Sequence, residues 1–238
     1  MRELRIGAGI VAAGLMLVGA AQAADLYVPP VEQYVPEIAS SPWSTCYVGV
    51  PVSYTTGRTP STAPLSDFSS PLGGFPIGLQ AGCDYVPDGS PLLLGVVVDA
   101  FLNGPAGTSP TIDLGAGLTG TSSSSIPVFG TVRARAGVAV DETLFYVAAG
   151  VAIANVNNTI TTSTPLTQTI SNTHIGWAAG GGIEHKVTEN VSLFAEYQYV
   201  DLGSKNYTYL PPFGFGGTDT LSLHPAFHQV KVGLNYRF

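Results

Sequence analysis

The sequence predicts an all-β fold, an eight-stranded antiparallel up-and-down transmembrane β-barrel. Three observations predict it. From Trp43 onward the chain falls into segments that alternate apolar with small or polar residues, each near the ~9–11 residues a tilted membrane strand needs. Charges and glycines gather on one parity row, bulky apolar residues on the other. Connectors alternate short and long, as in barrels whose turns lie on one membrane side and whose loops lie on the other.

Composition agrees. Charged residues are 11% of the 238, against roughly 25% in soluble domains, while 45% are hydrophobic. Gly 29 and Pro 18 suit a turn-rich β protein, and the alternation excludes disorder and a collagen-like repeat. Lys+Arg 9 against Asp+Glu 16 leaves a net charge of -7 with no basic run, which excludes nucleic acid as a partner.

The elements follow in chain order. Residues 1–23 read as a secretory signal peptide: Arg2 and Arg5 precede the apolar stretch Ile6–Gly19, and Ala21-Gln22-Ala23 is a small-x-small cleavage site. An uncleaved N-terminal anchor is the competing reading. Residues 24–42 carry Pro29, Pro30, Pro36 and Pro42 and no basic residue, and read as an extended periplasmic tether. Residues 43–238 form the barrel. No segment there approaches the ~20 consecutive apolar residues of a membrane helix; the longest, Leu92–Leu102, is interrupted by Asp99. A span must therefore be built from strands, and the sheet must close, because unpaired amides in hydrocarbon are costly.

The predicted strands are Trp43–Tyr54, Gly74–Tyr85, Pro91–Asn103, Val128–Val140, Thr143–Asn155, His174–Val187, Val191–Leu202 and His228–Phe238. In the second, Phe75, Ile77, Leu79, Ala81, Cys83 and Tyr85 oppose Pro76, Gly78, Gln80, Gly82 and Asp84. In the last, Val230, Val232, Leu234, Tyr236 and Phe238 oppose Gln229, Lys231, Gly233, Asn235 and Arg237. A sandwich or a soluble lipocalin-like barrel also alternates, but its polar face should be rich in Lys and Glu. The sparse, glycine-studded row fits a narrow lumen inside a lipid-facing wall. Connectors 55–73, 104–127, 156–173 and 203–227 are the long ones, expected as extracellular loops. Pro51 inside the first strand predicts a bulge or strand end there.

Four stretches carry a family likeness: Gly130-Thr-Val-Arg-Ala-Arg-Ala-Gly137, the pair Gly176-Trp177 leading to Glu184, Ala195-Glu-Tyr-Gln-Tyr-Val-Asp-Leu-Gly203, and His228-Gln-Val-Lys-Val-Gly-Leu-Asn-Tyr-Arg-Phe238. In order and spacing the chain resembles the small outer-membrane β-barrel, or outer-membrane immunogenic, proteins of alphaproteobacteria, with the architecture of the OmpA transmembrane domain and no peptidoglycan-binding domain. The resemblance implies the Gram-negative outer membrane, a surface exposed to host or environment, and no enzymatic activity. It also implies outer-membrane lipid and lipopolysaccharide as surroundings and the barrel-assembly machinery as a partner, with Tyr236 and Phe238 similar to the terminal signal that machinery reads. Cys46 departs from the pattern where an aromatic is expected, and Val97 where the family often carries an acid.

The candidate site is a lumenal charge network of Asp99, Arg133, Arg135, Glu184, Glu196 and Lys231. Asp99 and Arg133/Arg135 lie on consecutive strands, and Glu184 and Glu196 flank one hairpin and require a cation, which Arg135 or Lys231 can supply. Such a network would plug the lumen, because eight strands leave an interior just wide enough for side chains to fill. A catalytic carboxylate pair is the competing reading, and it needs a substrate-accessible cleft. No catalytic residue, cofactor or metal is expected. His174, His185, His224 and His228 show no metal-ligand spacing, and Gly180-Gly181-Gly182 lies mid-strand without the helix a phosphate loop needs. Cys46 and Cys83 share the outward row near the periplasmic edge, where a disulfide and two lipid-facing thiols both stay open. Trp43, Tyr54, Tyr85, Trp177, Tyr197, Tyr199, Tyr236 and Phe238 are expected in the interfacial girdles. Tyr207, Tyr209, Phe213 and Phe215 in the fourth long connector are candidates for a contact surface, with loop self-packing as the alternative. The function expected is a structural, surface-exposed barrel. A narrow diffusion channel, and an adhesin or ligand binder acting through its loops, are the alternatives.

Overall fold

The computed structural model describes residues 41–62, 67–115, 117–164, 166–209 and 220–238. The stretches predicted as a signal peptide and, up to residue 40, as a tether lie outside the described residues, as do Phe213 and Phe215.

The strands in chain order are β1 (Cys46–Thr62), β2 (Phe68–Gly74), β3 (Ile77–Tyr85), β4 (Leu92–Leu102), β5 (Ala106–Thr108), β6 (Ile112–Gly115) and β7 (Leu118–Val140). There follow β8 (Thr143–Thr162), β9 (Thr167–Lys186), β10 (Val191–Asp201), β11 (Lys205–Thr208), β12 (Thr220–Leu223) and β13 (Ala226–Arg237). All pairings are antiparallel. The ladder runs β1–β13–β10–β9–β8–β7–β4–β3 and returns from β3 to β1, with Cys46 opposite Cys83 and Val52 opposite Ile77. The sheet is thus closed, and no edge faces hydrocarbon along this ring. The short segments β2, β5, β6, β11 and β12 pair onto one end of the same sheet.

Alternation sets which side of the wall each residue takes. Leu79 is 67% exposed and its neighbour Gln80 6%. Val48, Val96, Val132, Val230 and Leu234 face outward with Leu79, whereas Arg133, Lys231 and Glu184 are fully buried inside. The inner glycines are explained by crowding: a Cβ on Gly150 would stand 2.0 Å from the Val132 carbonyl oxygen. At the turn end Asp141, with φ 52°, carries the chain from β7 to β8 in the left-handed region that Asp tolerates.

Three expectations are corrected. The long connectors are largely strand: β1, β7, β8 and β9 run 17, 23, 20 and 20 residues, and β7 and β8 stay paired from Gly120–Thr162 down to Val140–Thr143. Beyond the bilayer water solvates the outer face, so Thr and Ser replace the apolar row and the period-2 signal fades while the β ladder continues. Pro51 causes no bulge against β13, where register is continuous from Tyr47–Arg237 to Arg58–Ala226. The β1–β3 ladder instead skips Val50 and Pro51, so the proline's missing N–H is absorbed at that seam. Register shifts fall instead at Ser125/Val128, around Pro127, and at Asp113/Gly115 in the β6–β7 pairing. Trp43, expected in a girdle, is 1% exposed and packs inward, because the chain folds under the barrel before β1 begins.

The interior is layered. At the turn end Trp43, Val86, Leu93, Leu144 and Tyr146 form an apolar cap. Charged groups fill the middle. Above them Phe101, Phe129 and Phe227 pack with Ile126, Val156, Val200 and Leu202. The extended strands enclose a last cluster of Ile112, Ile160, Tyr207, Tyr209, Leu221 and Leu223.

Candidate functional site

Two ion clusters sit one above the other in the lumen. The upper joins Arg133 of β7 to Asp99 of β4 (Nη2–Oδ2 2.6 Å) and to Glu196 of β10 (Nη1–Oε1 2.5 Å). Lys231 of β13 lies 2.9 Å from Glu196 Oε1 and 3.5 Å from Asp99 Oδ2. Thr131 donates to Asp99 Oδ2 at 2.8 Å and accepts from Arg133 Nε at 3.1 Å.

The lower cluster joins Arg135 to Asp84 (3.1 Å) and Glu184 (2.6 Å), and Arg237 to the same two carboxylates at 3.0 and 2.9 Å. Ser192 and Asn235 donate to Glu184 Oε1 at 2.5 and 3.0 Å, and Gln80 donates to Asn235 at 2.6 Å. Tyr146 ties the layers together. Its hydroxyl donates to Glu196 at 2.9 Å and its ring lies under the Arg135 guanidinium at 3.7 Å. Arg237 stacks on Tyr47 and on Trp43, whose indole N–H donates to the Asp141 carbonyl at 3.2 Å. Lys186 also lies against Trp43 and donates to the Pro42 carbonyl.

Charge balances in this core. The carboxylates Asp84, Asp99, Glu184 and Glu196 face the cations Arg133, Arg135, Lys231 and Arg237. Buried ions without such partners carry a desolvation penalty of several kcal/mol each, so pairing is a condition for this interior to exist.

All six predicted network residues lie in the lumen, and Asp99 pairs with Arg133 on the neighbouring strand. Glu184 and Glu196 share no cation, since Arg133 and Lys231 hold one and Arg135 and Arg237 the other. Asp84 and Arg237 were legible as members of the charged row, yet sequence alone gave no reason to place them in the network. Tyr47, Tyr146, Gln80, Asn235 and Ser192 carried no signal beyond inward parity. Cys46 and Cys83 are joined in a disulfide on the outward face, directly opposite one another on β1 and β3. Tyr236 and Phe238 face outward at the turn end, ring to ring at 5.4 Å.

Tyr207 and Tyr209 are not a contact surface: both are fully buried. Tyr207 donates to the Val156 carbonyl at 3.1 Å and faces His174 Nε2 at 3.0 Å, and Tyr209 donates to Asn158 at 2.5 Å. Burial pushes both phenols well above their ordinary pKa, which keeps them neutral donors. The aromatic side chains turned inward because the strand extensions enclose an apolar interior above the membrane. His224 at the rim stands between Asp201 (Nε2–Oδ1 2.8 Å) and Ser204 (Nδ1–Oγ 3.2 Å). This reverses the two ring nitrogens relative to an acyl-transfer triad. No cluster of metal-ligating side chains occurs among the described residues.

A closed antiparallel wall, apolar outside over a membrane-high band and ion-paired inside, defines a transmembrane β-barrel of the outer-membrane class. The outer membrane protein beta-barrel domain family matches residues 10–238, and the chain belongs to that family. The chain is 30% identical over 240 residues to the 31 kDa outer-membrane immunogenic protein of Brucella melitensis, covering 94% of this chain and 95% of the relative. It is 31% identical over 208 residues to a 22 kDa outer membrane protein of Rhizobium leguminosarum, covering 87% and 83%. Among solved structures it is similar to the outer membrane protein OprG of Pseudomonas aeruginosa, with a TM-score of 0.49 at 12% identity over 82% of this chain and 96% of that one. The protein is accordingly located in the Gram-negative outer membrane.

Proposed function

We propose that this is a non-enzymatic, structural surface protein whose lumen is closed. The observation that supports this most is the layering: a charge-neutral network is bounded below by the Trp43 cap and above by Phe101, Phe129 and Phe227. An ion entering from either end meets an apolar layer before it reaches the paired charges, and dewetting of that layer excludes it. The network carboxylates are held by guanidinium and ammonium partners behind these layers, so a substrate would have to displace buried ion pairs to reach them. The strand extensions carry the chain beyond the outer leaflet and present Thr- and Ser-rich edges to the medium.

Single-channel recording of the purified full chain in planar bilayers tests the proposal. Silent insertion, or rare brief openings, is expected. Stable large conductance would replace this reading with the diffusion-channel one.

A further inference from the structure

We propose that Arg58 and His228 form an external site for the phosphate of an outer-leaflet lipid headgroup. Arg58 occupies the outward row of β1 above Tyr54, and it is exposed. Among the described residues it is the one Arg or Lys on the outer face of strands that pass through the aromatic belt, since Arg133, Arg135, Lys231 and Arg237 are lumenal and Lys186 lies against Trp43. No ion pair or side-chain hydrogen bond engages it among those residues.

The surroundings suit a phosphate. Arg58 is paired through its backbone with Ala226, and His228 is directly opposite Thr56 on one side and Tyr199 on the other. That register puts Arg58 and His228 on a diagonal, within about 7–8 Å. Together with Thr56, Pro60 and Tyr199 they line an outward depression of about 320 Å³. The Tyr197 hydroxyl is 2.6 Å from His228 Nδ1. Donation from that hydroxyl leaves Nε2 as the protonated nitrogen, available as a second donor beside the guanidinium fork. Asp201, across Ala226 from Arg58, is the nearby acid; it already accepts from Gly203 N at 2.9 Å and faces His224 at 2.8 Å.

Height selects the source of the phosphate. Tyr54, Trp177 and Tyr197 are half-exposed aromatics that mark the membrane interface. Four residues along a strand that rises ~3.3 Å per residue at a ~40° tilt lift Arg58 roughly 10 Å above Tyr54, into the headgroup layer. With a net charge of -7 the chain exerts no general pull on anionic lipid, so retention would have to come from a local pocket.

Native mass spectrometry of the full chain in detergent tests the site with three probes: phosphorylated lipid A, the same lipid with its phosphates removed, and inorganic phosphate. Wild type is expected to retain the phosphorylated lipid about tenfold better than the dephosphorylated one, and Arg58→Gln to lose about tenfold, the share of one charge-assisted contact at a partly solvated site. Arg58→Lys should fall between, and Lys205→Gln should match wild type. Heat-modifiable migration verifies that each variant is folded. Equal retention by wild type and Arg58→Gln, or equal retention of both lipids, overturns the proposal. Capture of inorganic phosphate in place of the lipid overturns its assignment to a headgroup.

Discussion

Replacing Glu184 by glutamine is expected to unbalance the lower half of the lumen. Glu184 is fully buried and receives Arg135 at 2.6 Å, Arg237 through both Nη2 and Nε at 2.9 and 3.1 Å, Ser192 at 2.5 Å and Asn235 at 3.0 Å. The amide keeps the shape but removes the charge, leaving two guanidinium groups to share Asp84. Stranding a buried ion in this way costs about 3–5 kcal/mol, far more than a surface pair is worth. The double variant Glu184→Gln/Arg237→Gln restores equal numbers of charges, so its loss should fall short of the sum of the single losses by about 0.5–3 kcal/mol. Urea unfolding from lipid vesicles, followed by indole fluorescence, is a direct assay, because Trp43 stacks on Arg237 at 4.7 Å and reports on this cluster. A loss below about 1 kcal/mol for the single variant, or strict additivity in the double, would refute the claim that these ions depend on one another.

Other expectations are of the same kind. Phe129→Ala removes a ring that stacks on Phe101 at 4.9 Å and meets Phe227 edge-on at 5.3 Å; it should cost about 3–5 kcal/mol and raise bilayer conductance, and an unchanged silent barrel would contradict the constriction. Replacing both cysteines by serine opens a loop of sequence separation 37, worth about 4 kcal/mol by loop entropy; an unchanged urea midpoint, or two titratable thiols in the oxidised unfolded chain, would count against the bridge. Leu79→Arg places a charge against hydrocarbon at about 2–4 kcal/mol, whereas Thr161→Arg on the exposed extension should cost under about 1 kcal/mol, and equal losses would mean the membrane band is misplaced.

The wall was legible in the sequence because lipid imposes the same demand on every crossing strand. Leu79 and Gln80, or Val230 and Lys231, declare their sides by parity alone. Above the bilayer that demand stops, so Thr159, Thr161, Thr167 and Thr169 read as loop although they pair across β8 and β9. Aromatic residues near strand ends were ambiguous for a related reason. Trp43 and Tyr207 look like girdle or loop residues until the fold shows which end of the cylinder they close. The network was legible as a set and, for Asp99 and Arg133 on neighbouring strands, as a pair, but the remaining partners were not: Arg133 also reaches 63 residues along the chain to Glu196, and Arg237 reaches 153 to Asp84. Those partners meet across the lumen rather than along a hairpin, and only closure of the sheet decides which layer each occupies.

The division between a lipid-bathed exterior and a sealed interior is tested most directly on β4, without any substitution. Val96 and Val98 are 52% and 45% exposed, and Val97 between them is 3% exposed. In lipid nanodiscs, nuclear Overhauser contacts from acyl-chain protons should reach the methyl groups of Val96 and Val98, while Val97 shows contacts to neither lipid nor water. Acyl-chain contacts at Val97 with silence at its two neighbours would contradict the account.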